Sequence, residues 1–122
     1  MMPYERVEAW RKAHELVLAV YRVSLGWPKA EQYGLISQSR RAAFSVAASI
    51  SEGAAKKGSR EYRRFLDIAL GSFSELTYCL KLAADLGYLS PEDQADIEDI
   101  RASAGKLLWG LYQAVKRSAE LK

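Results

Sequence analysis

One histidine and one cysteine, His14 and Cys79, are the whole stock of side chains from which neutral-pH acid–base or thiol chemistry is ordinarily built in this 122-residue chain. A di-iron site in a helical bundle needs Glu-x-x-His on two helices, which a single histidine cannot supply. A Ser-His-Asp or Cys-His arrangement would rest on His14 alone, and no nucleophile lies near it in sequence. Its plainer reading is a surface or subunit-contact side chain. Cys79 sits beside Leu76 and Leu80 on the apolar side of a helix and reads as a core residue. No glycine-rich loop follows a strand to cradle phosphate; Gly53 and Gly58, flanking Lys56 and Lys57, come nearest. No catalytic residue, cofactor or metal ligand is expected, and binding to other macromolecules is the function class that remains.

The charges suit such binding. The net charge is only +3, yet residues 1–64 carry +6 and residues 65–122 carry −3. A basic front and an acidic back allow either a positive surface for nucleic acid or head-to-tail attraction between subunits. Lys56, Lys57, Arg60, Arg63 and Arg64 cluster at one turn with Tyr62 among them. Five cations there could meet successive phosphates, with Arg40, Arg41 and Phe44 extending the patch if they share a face. Base-specific reading is not indicated, and the competing reading is a solvated helix end.

Helices must position these residues. Ala9, Trp10, Ala13, Leu16, Val17, Val20 and Val23 recur at helical spacing and predict a first helix from about Arg6 to Ser24, ended by Gly26-Trp27-Pro28. A second is expected to begin near Lys29 to Tyr33, with an irregular turn at Gly34, and to run to about Ala55. Ser59 reads as the N-cap of a third, which continues to Leu86 and stops at Gly87. Ser90-Pro91-Glu92-Asp93 is a strong start for a fourth, reaching about Ser118. No segment alternates as a strand. Four helices of similar length on short connections predict an all-α, up-down-up-down antiparallel four-helix bundle, one domain over 1–122 with an ordered core of about 4–118 and the last residues frayed. The longest apolar run, Leu16 to Tyr21, is far below the ~20 residues of a membrane span. With no signal-like start and one cysteine, the expected compartment is the cytoplasm.

Some apolar residues fall off the inner stripes. Leu18 lies among Arg11, Glu15 and Arg22, Phe44 beside Arg40 and Arg41, and Trp109 and Tyr112 off the main stripe of the fourth helix. Together they suggest an interface between copies, against the plainer reading of scattered surface residues. The second helix is rich in Ala and Ser, so neighbouring backbones can approach, and Arg41 with Glu52 or Glu75 could form a structural ion pair.

Trp10, Tyr33-Gly34-Leu35, Gln38, Arg40-Arg41-Ala42, Ser45, Ile50, Glu52-Gly53, Glu61-Tyr62, Phe65-Leu66, Gly71-Ser72, Glu75-Leu76 and Gly87-Tyr88-Leu89 together resemble the four-helix bundle family also called 23S rRNA intervening sequence proteins. The resemblance spans nearly the whole chain, and its specific blocks are Gln38 to Gly53 and Gly71 to Leu76. Ser49 stands where the family usually places Asn, so a weaker hydrogen bond is expected there. The resemblance implies an up-down bundle assembling as a ring-like homo-oligomer, typically a pentamer. Reading frames of this type were first noticed inside insertions in large-subunit ribosomal RNA genes. A more distant similarity is to the accessory variability protein of diversity-generating retroelements, a basic pentamer that binds a reverse transcriptase and nucleic acid. The expected partners are therefore copies of itself and RNA or DNA, with a protein-interaction scaffold free of nucleic acid as the alternative.

Overall fold

Glycine and proline divide the chain into four apolar-striped segments, and each becomes a helix. The computed structural model describes residues 2–121. The helices are α1 (Glu8–Ser24), α2 (Leu35–Ala54), α3 (Ser59–Asp85) and α4 (Pro91–Glu120), with 3-10 turns at Pro3–Arg6 and Lys29–Glu31. No strand occurs among the described residues. Each helix packs against two others, α1 on α2 and α4, and α3 on α2 and α4, while the diagonal pairs stay apart. That is the up-down-up-down arrangement short connections require. None of the helices is long and apolar enough to cross a membrane among the described residues.

Two apolar layers fill the bundle. Leu16, Val20, Trp27, Leu35, Leu76, Leu80 and Ile97 form one, toward the end that carries the α1–α2 and α3–α4 connections. Ala9, Ala13, Val46, Ile50, Leu66, Leu108 and Val115 form the other, toward the α2–α3 turn. Val17 and Phe73 pack against both and join them. Cys79 is buried in the first layer as expected. Burial pushes its thiol pKa up, against a smaller opposite effect from the neighbouring Ser39 hydroxyl.

The helix ends show where local signals prevail. Ser90 Oγ accepts from Asp93 N at 3.1 Å, capping α4 behind Pro91. Gly87, at φ +79°, ends α3: Tyr88 N donates to the Ala83 carbonyl at 2.9 Å and Gly87 N to that of Ala84 at 3.0 Å, the Schellman pattern. Ser59 differs from expectation. The cap position is Gly58, at φ +94°, and no side chain caps it. The Ser59 hydroxyl turns sideways to Ser118 Oγ, 2.8 Å away, and ties α3 to α4. Helix α4 accordingly runs past Ser118, with Ala119 buried; Lys122 lies outside the described residues.

Helix α1 starts at Glu8 rather than Arg6, because Val7 is extended (φ −91°, ψ 116°) after the first 3-10 turn. Helix α2 starts at Leu35 rather than near Lys29. Gly34 breaks the chain direction there, and the Glu31 carboxylate accepts from Leu35 N at 3.1 Å in place of a cap. The other oxygen of Glu31 accepts from the Tyr88 hydroxyl at 2.8 Å, which links the two connections and raises the Tyr88 pKa. Helices α2 and α3 come close together at Gly53, where a Cβ would stand 2.9 Å from Tyr62 Cδ1 and 3.1 Å from Phe65 Cβ. Further along the same seam Ser45 Oγ and Ser72 Oγ are 2.7 Å apart.

Candidate nucleic-acid interface

The α2–α3 turn sets five cations at one end of the bundle. Lys56 and Lys57 are exposed in the turn itself. Arg60, Arg63 and Arg64 follow on the first two turns of α3 and line a shallow polar groove with Asp67, Ala119 and Glu120. Arg64 is engaged: its Nε and Nη2 donate to the Glu61 carboxylate at 3.3 and 3.2 Å, and its guanidinium lies 4.7 Å from the Phe65 ring centre. The Arg64 hydrogen bond lowers the Glu61 pKa, and the same bond raises that of Arg64. Lys56 also sits over Phe65, at 5.3 Å. Lys57, Arg60 and Arg63 form no ion pair among the described residues, so their charge is open to an outside anion.

Folding adds cations that linear clustering misses. The Ser59–Ser118 bond holds the last turns of α4 against the start of α3, and Lys116 and Arg117 come with them. Arg6, on the first 3-10 turn, is at the same end because α1 begins there. The opposite end gathers acids from the α3–α4 connection and the start of α4: Asp85, Glu92, Asp93 and Asp96 are all exposed. The charge is thus divided between the two ends of the bundle as well as between the two halves of the chain. A signal for this was present in the sequence, since α4 itself runs from acidic to basic.

Arg40 and Arg41 do not extend the patch. Arg41 precedes Lys56 by fifteen positions on and just past α2, about 22 Å at 1.5 Å per residue. Arg40 has a structural occupation. Its Nε donates to Ser24 Oγ at 2.9 Å and its Nη2 to the Tyr21 carbonyl at 3.3 Å, and its guanidinium covers the Tyr21 ring at 4.6 Å. It serves the C-terminal turn of α1, where carbonyls lack helix partners and a cation is favoured. Arg41 is exposed and shares a shallow groove with Tyr21, Gln38, Phe44, Ser72 and Glu75. The structural ion pair expected of Arg41 with Glu52 or Glu75 is not formed among the described residues. Glu52 is three turns away on the same helix, and Glu75, like Arg41, is exposed and solvated.

Leu18, Phe44 and Trp109 are 54%, 62% and 53% exposed. Tyr112 is half-buried against the lower apolar layer and stacks on Trp109, ring centres 5.6 Å apart. Tyr21 and Tyr78 are further exposed aromatics that helical periodicity alone did not single out. Phe44 lies on the outer side of α2 and Trp109 on the outer side of α4, and these helices are diagonal across the bundle. His14 is exposed and stacks parallel to Trp10 at 5.1 Å. No group of three or more His, Cys, Asp or Glu side chains is placed to hold a metal among the described residues.

Fold and surface together define an antiparallel four-helix bundle with one basic and one acidic end. The chain belongs to the 23S rRNA-intervening sequence protein family, whose model matches residues 5–110. That span holds the basic turn but stops short of Lys116 and Arg117. Among solved structures, the chain is similar to a protein of unknown function from the S23 ribosomal protein family of Bacteroides thetaiotaomicron, with 21% identity and a TM-score of 0.74. The alignment covers 85% of this chain and 97% of that one, a likeness of fold. No curated protein matches the chain.

Proposed function

We propose that this protein is a non-catalytic, homo-oligomeric bundle whose basic end binds RNA or DNA through phosphates, without reading sequence. One observation carries the reading: cations from three separate stretches of chain, Arg6, Lys57–Arg63 and Lys116–Arg117, converge on one end, and Lys57, Arg60 and Arg63 have no acidic partner among the described residues. Unpaired cations without base-reading geometry favour phosphate contacts, whose affinity comes largely from counterion release. The family name adds an association with ribosomal RNA genes, which is compatible with such a ligand.

The test is a titration of RNA and DNA at two salt concentrations. Affinity should fall steeply as salt rises, by about 0.7–0.9 log unit per log unit of salt for each phosphate neutralised. Charge reversal at Arg60 and Arg63 should weaken all sequences alike, whereas Arg41→Glu, about 20 Å along α2 from the turn, should leave binding unchanged. Absence of binding at low salt, or binding indifferent to salt, rejects the reading. A protein-interaction scaffold then remains, and the exposed Phe44 and Trp109 are the observation favouring it.

A further inference from the structure

We propose that a groove on the α2–α3 seam, toward the connection end, is a binding site for a linear aliphatic diamine, an ammonium group at each end and methylenes between. The proposal does not depend on the phosphate-binding reading of the basic end.

The groove has a volume of about 460 Å³, and its floor is apolar: Leu35 from α2, Cys79 and Leu82 from α3. Its charged lining is of one sign. Glu31 and Glu75 both contribute carboxylates, and no lysine or arginine lines it among the described residues. Carboxylates alone select a cation, and the floor between them selects one carried on a hydrocarbon stem.

The two carboxylates stand at opposite ends. Glu75 and Gln38 also line the adjoining groove that holds Arg41 and Phe44, so they mark the end toward the middle of α2. Glu31 precedes α2 and meets the Tyr88 hydroxyl just past α3, so it marks the end at the connections. From Glu75 to Leu82, along the floor, α3 rises about 10 Å at 1.5 Å per residue. A chain of about five methylenes spans that distance with a hydrogen bond of about 2.8 Å at each end.

Both carboxylates can accept an ammonium. The two oxygens of Glu31 accept from Leu35 N at 3.1 Å and from the Tyr88 hydroxyl at 2.8 Å, which orients the group and leaves it further lone pairs. Glu75 is exposed and forms no ion pair among the described residues. It lies close enough to Cys79 for its charge to add to the effect of burial on that thiol, which places it over the floor. Tyr78, 65% exposed on the same groove, offers a ring face to the cation beside Glu75.

The experiment is calorimetric titration at low salt with cadaverine, pentylamine and pentanol, which share one hydrocarbon chain and differ in charge. Cadaverine should bind tightest, pentylamine about threefold to tenfold more weakly for want of one partly exposed charged contact, and pentanol more weakly still. Glu75→Gln and Glu31→Gln should each bring cadaverine to the level of pentylamine. Asp93→Asn, on the exposed start of α4 and outside the groove, should change nothing. Circular dichroism checks each fold, and Glu75→Gln, at an exposed and unpaired position, decides the matter alone should Glu31→Gln unfold. Equal affinity for cadaverine and pentylamine, equal weakening by Asp93→Asn and Glu75→Gln, or no binding at millimolar diamine overturns the proposal. RNA affinity of Glu75→Gln should match the wild type, so this site and the basic end are judged separately.

Discussion

Arg40 and Arg41 are adjacent in sequence and indistinguishable by composition, yet they do different work. Arg40 reaches back to α1, where the Ser24 hydroxyl, the Tyr21 carbonyl and the Tyr21 ring occupy its donors and its flat face. Arg41, one position on and rotated by about 100° around the helix, is exposed beside Phe44. Replacing Arg40 with alanine leaves the end of α1 without its donors and should lower stability in urea by about 1.5–3 kcal/mol, the range for charged hydrogen bonds. Nucleic-acid affinity should stay as it was. A stable Arg40→Ala protein with weakened RNA binding would instead return this side chain to the phosphate-binding set. The sequence announced two arginines together; which one reached α1 was set by the packing of α2 against it.

At the scale of the helix, capping signals divide by whether a competing partner stood near. Ser90, followed by proline and two acids, had none and caps α4. Ser59 had Ser118 within reach, a residue 59 positions further on, and a glycine of positive φ just before it already turned the chain. Ser90→Ala should therefore cost about 1 kcal/mol, as loss of a cap does. Ser59→Ala and Ser118→Ala should each be destabilising and fall short of additivity when combined, with a coupling of about 0.5–1 kcal/mol. Strictly additive effects in chemical denaturation would mean that the two hydroxyls do not support one another. Gly53 shows the same dependence on a neighbour. Its place in the motif was legible, but its reason is the Tyr62 ring and Phe65 Cβ that pack where a side chain would stand.

For the whole molecule, antiparallel folding sorts charge by end. The basic turn between α2 and α3 meets the basic last turns of α4, and the acids of the α3–α4 connection collect opposite. Outer faces are sorted too, with Phe44 and Trp109 on opposite sides. The proposed homo-oligomer, if Phe44 of one copy meets Trp109 of the next, makes a distinctive prediction about mixtures. Phe44→Glu spoils one face and keeps the other; Trp109→Glu does the reverse. Each alone should be monomeric, and an equimolar mixture should form a dimer through its single intact contact, seen in sedimentation velocity. A mixture that stays monomeric would show that these residues do not meet across a shared interface.

The amino-acid sequence by itself determined the number of helices, most of their inner faces, the strong α4 start and the α3 stop, because apolar period, proline and glycine act within a few residues. It also determined that Lys56 to Arg64 form a basic turn, since that cluster is contiguous. Tertiary structure decided the rest. It drew Lys116, Arg117 and Arg6 to that turn, withdrew Arg40 into a contact with α1, left Arg41 unpaired with Glu52 or Glu75, and turned Ser59 from a cap into a crosslink. The Arg40 and Ser59 contacts depend on which distant side chain comes within about 3 Å, the reach of a hydrogen bond, and the gathering of cations on which helix ends lie together; the packing of one helix on another sets both.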